Sequence, residues 1–83
     1  MKKIKNPKAQ ERVLLTKYAD RDPRDPWLIC NFAYKAVYPN GSVSYVGSTP
    51  EGIVGYNGEL EHCFRIESEE ELEPYWEAKK LGY

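Results

Sequence analysis

The cysteines and the one histidine of this 83-residue chain, Cys30, Cys63 and His62, are the candidates for a zinc site or a nucleophile–base pair. A structural zinc needs four ligands at motif spacing, and neither cysteine belongs to a C-x-x-C pair. His62 and Cys63 are neighbours in a strand-like run, so their side chains leave on opposite faces. Nucleophilic catalysis needs a nucleophile, a base and an orienting group, and nothing around the one histidine supplies that set. The expectation is no metal, no cofactor and no catalytic residue, with both cysteines as buried free thiols and one disulfide between them as the alternative. The glycines of Gly52-Ile53-Val54-Gly55-Tyr56-Asn57-Gly58 suggest a phosphate loop, but Glu59 and Glu61 follow and would repel an anion.

Recognition chemistry is better represented. Seven tyrosines and two tryptophans exceed what one small core can bury, and such rings supply contact area at low entropic cost. Trp27, Tyr34, Tyr38 and Tyr45 are the expected contact aromatics. The acids Glu67, Glu69, Glu70, Glu71 and Glu73 suit a helix N-terminus. They outnumber what capping needs, so Glu69, Glu70 and Glu73 are expected to offer an anionic surface to a basic partner. Lys2, Lys3, Lys5, Lys8, Arg12 and Lys17 form a basic stretch that could meet phosphates beside stacking aromatics. The sequence pI of about 5.8 argues against a nucleic-acid footprint. Residues 1–25 hold eight Lys/Arg and four Asp/Glu, and residues 26–83 hold four and nine. This basic front and acidic back should attract each other or be solvated.

One hairpin carries a family resemblance. Phe32-Ala33-Tyr34 and Tyr45-Val46-Gly47-Ser48-Thr49 resemble the paired motif of the GIY-YIG nucleases, over residues 32–49 only. Phe32 replaces the first motif's glycine, and residues 49–58 hold no equivalent of the family's helical arginine. No equivalent of its metal-binding glutamate or later asparagine can be placed. The resemblance implies a degenerate nuclease-like fold.

These residues need elements to position them. Asn6-Pro7 reads as a helix start, and Ala9, Val13, Leu14 and Tyr18 recur at helical spacing, which predicts a helix over 7–18. The run 12–18 reads equally as a strand. Asp20 to Pro26, with two prolines, is an exposed, stiff loop. Trp27–Tyr38 alternates as a strand with Leu28, Cys30, Phe32, Tyr34, Ala36 and Tyr38 on its core face. Pro39-Asn40-Gly41-Ser42 is a hairpin turn, Val43–Gly47 returns, and one short strand is expected within 48–58. Leu60–Glu67 is a further strand. Ser68 and Glu71 form an S-x-x-E capping box for a helix over 69–80, which Pro74 delays or bends.

The expected architecture is a single small α+β domain over 1–83. A small antiparallel sheet of three to four strands packs against one or two helices, and residues 1–6 are a flexible basic terminus. No apolar run reaches the ~20 residues that span a bilayer, so a cytoplasmic location without membrane contact is expected. The expected function is a small non-catalytic protein-binding module. Small domains of this kind are associated with phages and mobile elements, where they modulate or inhibit a host enzyme or defence complex. A larger host protein is thus the first expected partner, a second copy the next, and nucleic acid the alternative.

Overall fold

The computed structural model describes residues 1–54 and 60–82, without the side chain of Val54. Six strands run in chain order: β1 (Lys2–Lys3), β2 (Arg12–Thr16), β3 (Trp27–Val37), β4 (Val43–Thr49), β5 (Gly52–Val54) and β6 (His62–Arg65). A 3₁₀ turn (Glu69–Leu72) leads into one α-helix, α1 (Glu73–Lys80). The strands form one antiparallel sheet in the order β1-β6-β2-β3-β4-β5. This corrects the expected architecture, with six strands in place of three to four and one eight-residue helix in place of one or two.

The helix expected over 7–18 does not form; the strand alternative for 12–18 is realised as β2, Arg12–Thr16. Its apolar run Val13, Leu14 and Leu15 is buried at every position. A strand covered on both faces loses the alternation that marks a half-buried one, and its apolar run imitates a helix face. β2 pairs with β3 on one side and β6 on the other, with Leu14 opposite both Ile29 and Phe64. The basic terminus expected to be flexible carries β1, which pairs with β6 through Lys2↔Arg65 and Lys3↔Phe64.

Two apolar clusters lie on the two faces. One joins Val13, Leu15, Cys30, Phe32, Tyr45, Leu60 and Cys63. The sheet curls around it until the Tyr45 amide donates to the Leu60 carbonyl at 2.8 Å, bringing β4 to the segment that enters β6. The other joins Leu14, Phe64 and Tyr75, with Met1, Trp27, Ile29 and Ile66 packed against it. Here α1 covers the sheet.

The local signals around the helix and hairpin are realised. The Ser68 hydroxyl accepts from the Glu70 amide at 3.2 Å, and Glu71 accepts from the Ser68 amide at 3.2 Å. Pro74 sits in the first turn of α1, where its missing N–H leaves no bond unmade. In the hairpin Gly41 takes φ +87°, which an L side chain resists, and Asn40 accepts from the Ser42 amide at 2.9 Å. Gly55 to Gly58, part of the expected glycine loop, lie outside the described residues.

The charge asymmetry closes on itself. Arg12 pairs with Glu69, and the Met1 amino group pairs with Glu71 and lies 3.6 Å from Glu67. Among the described residues no helix is long and apolar enough to cross a membrane.

Candidate binding surface

The contact aromatics are separated by one irregularity in β3. Phe32 lies opposite Gly47, whereas Tyr34 lies opposite Val46, so Ala33 is an extra residue that reverses the alternation. Before it, Cys30 and Phe32 face the enclosed core as expected. After it, Lys35 takes the inner side with Tyr45, and Tyr34 turns outward and is 53% exposed. The core face expected for Tyr34 and Tyr38 is corrected accordingly, since Tyr38 is also exposed.

Tyr45 is the reverse case. It was expected at a contact surface and is only 4% exposed, with its hydroxyl donating to the Lys5 carbonyl at 3.1 Å. Lys35 Nζ donates to the same carbonyl at 3.2 Å and to Asn6 Oδ1 at 2.9 Å. The two tyrosines of the nuclease-like hairpin therefore lie on opposite faces. After Thr49 the chain enters β5, not a helix.

Trp27 is half-buried. Its indole N–H donates to the Pro23 carbonyl at 2.9 Å, and its ring meets Tyr75 and Trp76 edge-on at 5.4 and 6.0 Å. Tyr75 Oη donates to the Arg21 carbonyl at 2.7 Å, so two aromatic side chains anchor the 20–26 loop. Glu69 is engaged by Arg12. Glu70 and Glu73 are exposed and have no ion-pair partner among the described residues.

The register assembles a surface that single residues did not reveal. Ile29 packs beneath α1, and Asn31 is next but one on the same face. Asn31 lies opposite Ser48, and Ser48 lies opposite Ile53. Past the irregularity, Tyr34 and Val46 continue this face. The helix thus covers β6, β2 and the start of β3, while the same face over β3, β4 and β5 presents Tyr34 and Ile53, the latter 69% exposed. Ile53, and Trp76 at the helix flank, were missed in the sequence. Ile53 sits in a glycine-rich loop pattern, and Trp76 follows a helical spacing that places it near the core.

Of the basic residues, Arg12 lies opposite Asn31 at the border of this face and is paired with Glu69, and the others lie elsewhere. Lys2 and Lys3 are on the opposite edge strand from β5, and Lys17 stacks on Tyr18 at 5.5 Å. A shallow, open groove of about 420 Å³ is lined by Lys8, Ala9, Gln10, Glu11 and Arg65. At its rim Glu11 accepts from Arg65 Nε at 2.6 Å, which neutralises the pair. That bond, with the Lys8 amide, holds the Glu11 carboxyl below its ordinary range.

The potential reactive groups are quiet. Cys30 and Cys63 are free and buried. Burial pushes their thiols up to about 11 and about 12, so at neutral pH neither is the thiolate that attacks or ligates. The carboxylates of Asp20, Asp22 and Asp25 come within 4.8 Å of one another. Turn bonds run from the Asp22 amide to the Asp20 carboxylate, from the Arg24 amide to the Asp22 carboxylate and from the Asp25 amide to the Asp22 carbonyl, and the Arg24 guanidinium grips Asp22.

His62 Nδ1 is buried, and no hydrogen-bond partner reaches it among the described residues. Burial first, and then nearby Lys3, lower its pKa from 6.5. The unfolded chain therefore takes up this proton first as pH falls, and stability drops below about pH 6.5. Glu11 and Glu71 act in a lower window. Their depressed pKa values stabilise the fold above about 4.5, and that stabilisation is lost as pH falls further. Urea midpoints at pH 7 and 5.5 should differ in the wild type and converge in His62→Gln. An unchanged pH dependence in the variant would assign the effect to other groups.

No protein-family model, curated protein or solved structure matches this chain.

Proposed function

We propose that the protein is a non-catalytic binding module that docks on a larger protein, whose activity it modulates, through the open half of its sheet. The observation that carries this reading is the exposed pair Tyr34 and Ile53, on a sheet face that α1 covers elsewhere. Large apolar side chains left exposed together on such a face favour contact with a partner. The nucleic-acid reading requires lysines and stacking aromatics on one surface. Here Lys2 and Lys3 sit at the β1 edge, whereas the exposed Tyr34 ring lies on β3, two strands from that edge pair.

The test is affinity capture from lysate with the wild type and with a Tyr34→Glu/Ile53→Glu double variant, each with and without nuclease. Both positions are exposed, so the variant is expected to keep its fold within about 1 kcal/mol. The expected result is a stoichiometric protein, insensitive to nuclease and lost with the variant. Capture that vanishes with nuclease and survives in the variant would replace this reading with the nucleic-acid one.

A further inference from the structure

Strand β1 is the least held strand of the sheet. It has two residues, lies at an edge and pairs only with β6 among the described residues. One further backbone bond, from the Ile4 amide to the Cys63 carbonyl at 2.9 Å, continues the pairing toward His62. His62 and Phe64 leave β6 on one face, and Lys3 lies opposite Phe64. Lys3 and His62 are therefore diagonal neighbours on that face.

The imidazole sits between unequal walls. On one side Thr16 of β2 lies opposite it, and β2 is locked between β3 and β6. Thr16 carries no charge, and its hydroxyl already donates to the Tyr18 carbonyl at 2.8 Å. On the other side run β1 and Ile4. The ring's Nδ1 is buried and meets no hydrogen-bond partner among the described residues, so nothing there accepts the proton of an imidazolium. Burial opposes protonation most, Lys3 opposes it next, and Glu61 favours it less strongly than Lys3 opposes it.

A proton on this ring is a second positive charge beside Lys3, in a place poor in water. One wall must move to relieve it. β2 would have to break two ladders, whereas β1 breaks one short one, and local opening of such an edge costs less than global unfolding. Opening brings water to Nδ1 and takes Lys3 away.

We propose that His62 is a latch for the N-terminal strand: protonation of its ring releases β1 from β6, while the rest of the sheet stays folded. The segment remains anchored at its ends. Glu71, which pairs with the Met1 amino group, is held below its ordinary 4.5 by that contact and keeps its charge. The Lys5 carbonyl, which accepts from Tyr45 Oη and Lys35 Nζ, carries no titrating proton. Mild acid thus bares the backbone of β6, a pairing edge that neutral pH keeps covered.

The experiment follows the full ¹⁵N-labelled chain by NMR from about pH 7.5 to about pH 5, with the His62 ring titration read alongside. Cross-strand NOEs joining Lys2 to Arg65 and Lys3 to Phe64 should be lost at the midpoint of that titration. Relaxation should show Lys2, Lys3 and Ile4 becoming mobile, while Val13, Leu14 and Cys30 hold. His62→Gln should keep β1 paired throughout, and Lys3→Gln should move the ring midpoint upward. A paired β1 beside a protonated ring, or the same loss in His62→Gln, would overturn the proposal. So would simultaneous loss in β2 and β3, which would make His62 a determinant of global stability only. An unmoved midpoint in Lys3→Gln would overturn it too, by removing the charge from beside the ring.

Discussion

Replacing Gly47 by alanine is expected to destabilise the fold by about 3 kcal/mol, a large share of the ~5–15 kcal/mol available to a small domain. A Cβ built there would lie 2.0 Å from Cys30 Sγ and 2.7 Å from its Cβ. Gly47 is buried on β4 opposite Phe32, on the enclosed face where the Cys30 side chain occupies the space. Both strands lie inside the sheet order, so neither can move aside without disturbing its other neighbour. Cys30→Ala in the same chain should restore part of the loss, because the sulfur is the closest obstacle and the Cβ remains. Urea unfolding of the two single variants and the double variant gives the coupling directly, expected at about 1 kcal/mol in favour of the double. Additive losses would mean that Cys30 is not what excludes the alanine. A confirmed coupling would give the glycine of Tyr45-Val46-Gly47 a packing reason that requires no nuclease ancestry.

Leu14→Ala is expected to cost about 2–5 kcal/mol. Leu14 is fully buried at the middle of β2, between Ile29 and Phe64 across the strands and in the cluster of Tyr75. Its loss leaves a void beneath α1 where strands on both sides are hydrogen-bonded and collapse is resisted. The urea midpoint should fall sharply, and the near-ultraviolet signal from Trp27 and Tyr75 should weaken with it. Tyr34→Ser is the comparison, expected within about 0.5 kcal/mol of wild type because its ring faces outward. A small loss at Leu14 together with a large one at Tyr34 would reverse the assignment of which aromatic and aliphatic residues hold the fold.

These two expectations mark the limit of what the chain reveals before it folds. Asn40-Gly41 specifies its turn, and Ser68 with Glu71 specifies a helix start, because each acts over four residues or fewer. The alternation from Trp27 to Phe32 is equally local, since a strand has no option but to put successive side chains on opposite faces, whereas around Phe64 the expected half-buried pattern gives way to burial of both Cys63 and Phe64, because β6 is covered on both faces. The apolar segments around both cysteines also implied their burial, whereas composition alone did not decide whether the two charged halves would meet or be solvated. Tertiary structure alone decided that residues 12–16 form a strand. Val13, Leu14 and Leu15 became a doubly covered strand only when β3 and β6 paired on either side and α1 covered one face. It also decided which aromatics are exposed. The extra residue at Ala33 sent Tyr34 outward, and the curl that joins Tyr45 to Leu60 took Tyr45 inward. Both outcomes depend on pairing between segments far apart in the chain. The free energy of such pairing is fixed by the whole sheet, and no window of sequence contains it.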